Sequence, residues 1–176
     1  MVDKARFPIL RSQRLVLRRI HENDANSIFK LRTDAVVNTF IQRPQGRADN
    51  NGLEFVNRIH YDLSKNKIYH WVIVSSESSE LLGSICLWNF NVEKTIAEVG
   101  YELFPKYYGQ GIMSEALTEV IDFGFRQLQL TSIEAFTHRD NERSTKLLIK
   151  NGFELSPNRS DVDNLNNIIF IKQKAC

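Results

Sequence analysis

The sequence predicts an α/β fold, a mixed sheet in which an antiparallel meander is followed by a parallel β-α-β unit, all in a single domain over residues 1–176. Three observations predict it. Residues 69–75, 82–90 and 96–104 are runs rich in β-branched and aromatic side chains, separated by the turn-like SSESSE and NVEK segments, and short loops between strands imply antiparallel neighbours. Met113, Ala116, Leu117, Val120, Ile121, Phe125 and Leu128 then recur at the spacing of an amphipathic helix. Finally, strand 96–104, helix 112–128 and strand 132–137 follow one another as a crossover unit, whose strands run parallel with a right-handed connection.

The remaining elements follow in order. Residues 14–20 (RLVLRRI) alternate apolar and basic side chains, the pattern of a half-buried strand. Asp24 opens a helical stretch with Ala25, Ile28, Phe29 and Leu31 on one side. Residues 33–51, broken by Pro44 and Gly46, read as a long loop or broken helix. Leu53, Val56, Ile59, His60 and Leu63 place a helix over 51–65. Beyond the crossover, residues 145–150 read as a helix that Gly152 ends in a left-handed turn, with Phe153 as the hydrophobic contact. A closing strand spans 168–172, and an exposed strand near the C-terminus offers a route to a homodimer.

Composition narrows the function classes. Twenty-three Lys and Arg against twenty-one Asp and Glu leave a formal charge of +2, without the basic excess of a dedicated nucleic-acid binder. Two cysteines, Cys86 and Cys176, make no disulfide framework. The start from Met1 to Leu10 carries charges and a proline where a signal peptide has an apolar run, and no stretch reaches membrane-span length. The expectation is a cytoplasmic protein with no membrane partner. No His/Cys/Asp spacing predicts a metal site.

The stretch YYGQGIMSEA, residues 107–116, puts two glycines between a strand and a strong helix. The first turn of a helix presents unpaired N–H groups and a partial positive charge, so phosphates bind there. Glycine lets main chain approach a ligand where a Cβ would collide. A tight strand-to-helix turn explains the same letters. No lysine follows Gly111 as in a Walker loop, and Ser114 stands where a dinucleotide fingerprint has its third glycine.

In these segments the chain resembles the GNAT acyltransferases, and within them the RimJ/RimL-like N-acetyltransferases, from residue 14 to about 172. RLVLRRIHENDA is similar to the family's opening strand and helix, LLGSICL to its third strand and AEVGYEL to its fourth. KYYGQGIMSEAL is similar to the pyrophosphate loop and its helix, and HRDNERSTKLLIKNGFE to the Asn-x-x-Ser helix ending in Gly-Phe. The resemblance implies acetyl-CoA as cosubstrate, held in a splay between the fourth and fifth strands. The pantetheine arm would run beside Tyr101 and Leu103, and the pyrophosphate would meet Tyr108, Gly109, Gln110, Gly111, Ile112, Met113 and Ser114. The family usually has Gln or Arg where Tyr108 stands, and Gly or Ala in place of Met113. It also implies that Asn141 contacts the pantetheine arm and that Ser144 lies near the thioester sulfur; both residues equally suit a helix start.

Acyl transfer to a primary amine needs a deprotonated nucleophile, a polarised carbonyl and a proton for the thiolate. Glu98 is the candidate base, on the strand where related enzymes often place a carboxylate. Strand alternation puts Glu98, Gly100 and Glu102 on one face, with Glu102 as the reserve and the polar side of an amphipathic strand as the plain alternative. Ser144 is the candidate proton donor, since no tyrosine occurs after Tyr108 to take the family's usual role. His138, after the fifth strand, borders the acyl end of the cleft, while His21, His60 and His70 read as structural. Cys86 reads as a small core residue; Trp71, Trp88 and Phe90 are candidates for the acceptor pocket or for the core. Lys106, Arg143 and Lys146 are candidates for steering the anionic cosubstrate, or ordinary surface charge. A protein or peptide N-terminus is the acceptor that the subfamily resemblance implies. A polyamine or antibiotic site should be rich in carboxylates, and the 33–51 loop offers only Asp34 and Asp49. A non-catalytic acyl-CoA-binding module is the reading from a different class.

Overall fold

The computed structural model describes residues 7–43 and 51–175; the readings attached to Met1, Pro44, Gly46, Asp49 and Cys176 lie outside them. Its strands are β1 (Leu10–Arg11), β2 (Leu15–Arg19), β3 (Tyr69–Ser75), β4 (Leu81–Trp88), β5 (Ile96–Leu103), β6 (Ser132–His138), β7 (Glu154–Leu155) and β8 (Asn167–Gln173). The helices are α1 (Ala25–Thr33), α2 (Gly52–Ser64), α3 (Ile112–Arg126) and α4 (Glu142–Lys150), with single 3-10 turns at Glu22–Asp24, Val37–Phe40 and Pro105–Tyr107. One eight-stranded sheet runs in the order β1-β2-β3-β4-β5-β6-β8-β7. Every neighbouring pair is antiparallel except β5 and β6, which α3 connects in parallel. The meander and crossover are therefore as the sequence predicts.

Each face of the sheet has its own core. Leu15, Leu17, Trp71, Ile73, Ile85, Leu87, Ala97 and Val99 face α3, which buries nine of its residues from Ile112 to Phe125. At about 1.5–3 kcal/mol for each large apolar side chain removed from water, this burial, more than helix propensity, holds α3 in place. On the other face, Ile20, Ile28, Leu31, Val37, Phe55, Val56, Ile59, Val72 and Val74 form a smaller core beneath α1 and α2. Asn51 caps α2 by accepting the Glu54 N–H at 3.0 Å. Gly52 is obligatory there, because a Cβ would collide with the carbonyl oxygen of Ala25. α4 ends as expected: Gly152 is left-handed (φ +78°), its N–H reaches Ile149 O, and the Phe153 N–H reaches Leu148 O.

Three open readings are decided. Trp71 is core: it is fully buried beneath α3, with Nε1 donating to Pro8 O at 2.9 Å. Phe90 lies past the end of β4 and packs against the same core. The exposed strand near the C-terminus is the two-residue β7, outermost on that side because β8 inserts between β6 and β7.

Candidate active site

The parallel pair is short. β5 and β6 are in register only at Ile96, Ala97 and Glu98, opposite Ser132, Ile133 and Glu134. β5 nevertheless continues beside β4 to Leu103, and β6 stays beside β8 to His138. The two strands part just past Glu98. From Val99 to Leu103, one edge of β5 has no strand beside it among the described residues, so its main-chain donors and acceptors are left for another partner.

At the far end of that open edge, Tyr108 leads into Gly109 and Gly111, both left-handed (φ +74° and +76°), and Gly111 immediately precedes α3. A Cβ at Gly109 would meet nothing within 4 Å, so glycine is required there by backbone conformation rather than by crowding. The first i→i−4 bond of α3 runs from the Glu115 N–H to Gly111 O, which leaves the amides of Ile112, Met113 and Ser114 without intrahelical acceptors. The side chains of Ile112 and Met113 point into the core, so the unusual methionine does not crowd the loop. Ser114 is tied to Asn151, at the end of α4. The loop is braced from β2's end of the sheet. The Arg14 guanidinium donates to Gln110 O at 3.1 Å and bridges to Glu115, which also accepts from the Ser12 hydroxyl at 2.6 Å.

The start of α4 approaches the gap from the α3 side. Asn141 caps the helix, its Oδ1 accepting the Ser144 N–H at 3.1 Å. The Ser144 hydroxyl lies 2.7 Å from the Tyr101 hydroxyl, projecting from the free part of β5. Burial pushes the Tyr101 phenol up to about 12, against the lowering effect of that bond.

Glu98, Gly100 and Glu102 share the opposite face. Burial raises Glu98 to about 7, although the Asn89 side chain donates to it at 3.3 Å; the negative charges of Asp161 and Glu134 add to the rise. Glu134 is engaged by Arg159. Glu102 is held by Arg32 at 3.5 Å and Arg43 at 3.0 Å, a carboxylate already committed to two cations. His138 stacks on Phe40, with ring centroids 5.3 Å apart, and its Nδ1 accepts the Asp140 N–H at 3.2 Å, which spends that nitrogen's lone pair. His70 is buried against Phe55, and desolvation, with Arg32 adding to it, lowers it to about 3, so it stays neutral.

The structure thus sets Tyr101 against Ser144 on the helix that Asn141 caps, and Arg143 of that helix over Tyr108 of the glycine loop, with Leu103 buried farther along the free part of β5 and Glu98 on the other face. Other readings shift. Cys86 is half-buried on the Glu98 face, its sulfur 3.3 Å from where a Gly100 Cβ would lie, rather than in a core. Lys106 pairs with Glu80, Lys146 with Glu142, and Arg143 covers the Tyr108 ring at 4.0 Å, so all three proposed steering cations already have partners. Sequence reasoning missed Arg14, Asn89 and the meeting of Tyr101 with Ser144. The basic residue opening RLVLRRI was in plain view, but its contact with Glu115 spans 101 positions. Among the described residues, no helix is long and apolar enough to cross a membrane, and no cluster of His, Cys, Asp and Glu is arranged to hold a metal ion.

Comparison with known proteins gives a consistent result. Residues 14–154 match the acetyltransferase (GNAT) domain family. The chain is 30% identical over 148 residues to the "Uncharacterized N-acetyltransferase YoaA" of Bacillus subtilis, covering 84% of each. A putative ribosomal-protein-serine acetyltransferase from Vibrio cholerae superposes with a TM-score of 0.79 at 24% identity, over 95% of this chain and 98% of that one. RimL, a ribosomal L7/L12 alpha-N-protein acetyltransferase solved in complex with coenzyme A, superposes with a TM-score of 0.78 at 18% identity, over 94% and 98% of the two chains. At these identities, the solved structures establish a shared fold.

Proposed function

The chain belongs to the GNAT acetyltransferase family, and from that premise we propose that it moves the acetyl group of acetyl-CoA to a primary amine, with a protein or peptide N-terminus as the acceptor. One observation carries the reading. β5 and β6 part immediately beyond a carboxylate raised to about 7, and the opened edge leads to a doubly left-handed glycine loop at the head of a helix. The two ends suit the two ends of an acyl-CoA. Amides of residues 109–114 would receive the pyrophosphate, and the free edge of β5 at Tyr101 and Leu103 would bond the pantetheine arm. Asn141 has its amide nitrogen to offer the same arm, since only its oxygen serves as the cap.

The acceptor follows from proton affinities. An α-amine of pKa ~8 costs about 1.4 kcal/mol to deprotonate at pH 7, whereas a lysine at ~10.4 costs roughly 4.6 kcal/mol. A base near 7 lies close to the first and far from the second, so Glu98 is matched to an N-terminal amine. Main-chain N–H groups on β5 would polarise the thioester carbonyl, and Ser144 would attend the departing sulfur. The names of two structural neighbours, a putative ribosomal-protein-serine acetyltransferase and the ribosomal L7/L12 alpha-N-protein acetyltransferase RimL, agree with this acceptor class.

The test pairs thiol release with mass spectrometry. The protein is incubated with acetyl-CoA and a panel of free α-amine peptides, Nα-blocked lysine peptides and polyamines. Thiol release matched by acetylated α-amine product is expected. Preferential transfer to polyamines would move the acceptor to the small amines. Tight CoA binding with no transfer to any amine would make the chain a non-catalytic acyl-CoA-binding module.

A further inference from the structure

Tyr101 projects from the part of β5 that has lost its β6 neighbour, and strand alternation turns it with Ala97, Val99 and Leu103 toward α3 and α4. Its ring packs against the core on that side, and its hydroxyl lies 2.7 Å from Ser144 Oγ. The serine is fixed in turn, because Asn141 accepts its main-chain N–H at 3.1 Å. Two hydroxyls at this distance share one hydrogen. If the phenol donates it, Ser144 Oγ is the acceptor and its own hydrogen must point elsewhere, toward the gap between the strands. On the reading that acetyl-CoA lies in that gap, we propose that Tyr101 is a positioning residue: it donates its phenolic hydrogen to Ser144 Oγ and thereby aims the serine hydroxyl at the thioester sulfur.

The chemistry balances without either hydroxyl changing its protonation state. The amine nitrogen forms the new N–C bond, the C–S bond breaks, and its electron pair goes to sulfur. Glu98 takes the amine proton and returns it to water. The charge on sulfur is met by the Ser144 hydrogen bond and by the positive end of α4, and the thiolate is protonated by water on release. Tyr101 stays a neutral donor because burial holds its phenol at about 12, well above a thiol at ~8.5, so it orients rather than protonates.

A double-mutant cycle tests this, with steady-state kinetics on an α-amine peptide and calorimetric CoA affinities for wild type, Tyr101→Phe, Ser144→Ala and the double variant. Tyr101→Phe keeps the ring and its packing. It is expected to lower kcat about 10-fold, the effect of one oriented hydrogen bond, with CoA affinity unchanged. Ser144→Ala should lower kcat on the order of 10- to 100-fold, and adding Tyr101→Phe to it should cost nothing further. The loss in Tyr101→Phe should also shrink with a thioester whose thiol is more acidic, since that sulfur needs less help to leave. Additive losses, a fall in CoA affinity equal to that in kcat, or a loss indifferent to the leaving group would each overturn the proposal while leaving a functioning wild type. A wild type that neither binds CoA nor transfers acetyl would overturn the functional reading, and this proposal with it.

Discussion

Glu98 and Glu102 stand on the same face of β5 in opposite electrostatic circumstances. Two arginines contact Glu102, whereas Glu98 is desolvated beside the charges of Asp161 and Glu134. A carboxyl raised to about 7 is costly to the fold when ionised. Its pKa lies above the ordinary carboxylate range of the unfolded chain, so the stability it contributes is present at low pH and is lost as pH rises through 7. Glu98→Gln should therefore do two things at once. Turnover should fall by about 10²-fold near pH 7, with the loss shrinking at higher pH as the amine deprotonates unaided. Stability at pH 8 should rise by about 1–3 kcal/mol, an advantage that fades below pH 5. Paired pH–rate profiles and denaturant melts check both arms, and a variant less stable than wild type at pH 8 would assign Glu98 a structural role. The position of Glu98 was legible from strand alternation, because its neighbours Ala97 and Val99 are plainly core. The company it keeps was not: Asn89, Glu134 and Asp161 arrive from three other segments, and only the closed fold brings them together.

Among the elements, those with a long apolar stripe were legible, and those whose identity depends on a neighbour were not. α2, α3 and the three meander strands announce themselves by period. β1 and β7 are two-residue strands that exist only because β2 and β8 lie beside them, and nothing in residues 167–173 says that they enter the sheet ahead of β7. The glycine loop falls between these cases. Its letters are visible, but they fit a plain turn as well as an anion site. The structure adds that both glycines are left-handed and that Arg14 braces the loop from a distant strand. This geometry separates strain from ligand contact. Gly109→Ala meets no atom within 4 Å, so its cost to the free protein is the left-handed backbone alone, about 1–2 kcal/mol. The added methyl and the loop's shift away from positive φ should nevertheless weaken CoA at least about 10-fold, because each ~1.4 kcal/mol lost at the phosphates is a factor of ten. Thermal melts and calorimetry on the same variant measure the two separately; an unchanged CoA affinity would place the pyrophosphate elsewhere.

At the scale of the whole molecule, the two faces of the sheet divide the work. Beneath α3, aromatic rings from Tyr69, Trp71, Phe123 and Phe7 interlock at centroid distances of 5.3–6.0 Å, making a continuous core. The opposite face is covered by α1 and α2 over β2, β3 and part of β4, and from β5 onward it carries Glu98, Glu102, Glu134 and His138, with Arg32 of α1 reaching across to Glu102. The strand pairing is then shortest where β5 and β6 part, because among the described residues three register pairs, extended by the Thr131 and Ser132 amides donating to Thr95 O, join its antiparallel half to β6, β8 and β7. A ligand bonded to both sides of that seam would act as a missing strand. Binding confined to the folded state adds RT ln(1 + [L]/Kd), about 2.7 kcal/mol at a hundredfold excess over Kd, which for a chain of this length raises Tm by roughly 5–10 °C. CoA should produce that shift, and NAD should not. Hydrogen exchange should slow together in β5 beyond Glu98, in the first turn of α3 and at the start of α4, because one ligand would span all three. Protection restricted to the α3 loop would mean that CoA docks by its phosphates alone and leaves the seam open, and acetyl transfer in the gap would then lose its physical basis.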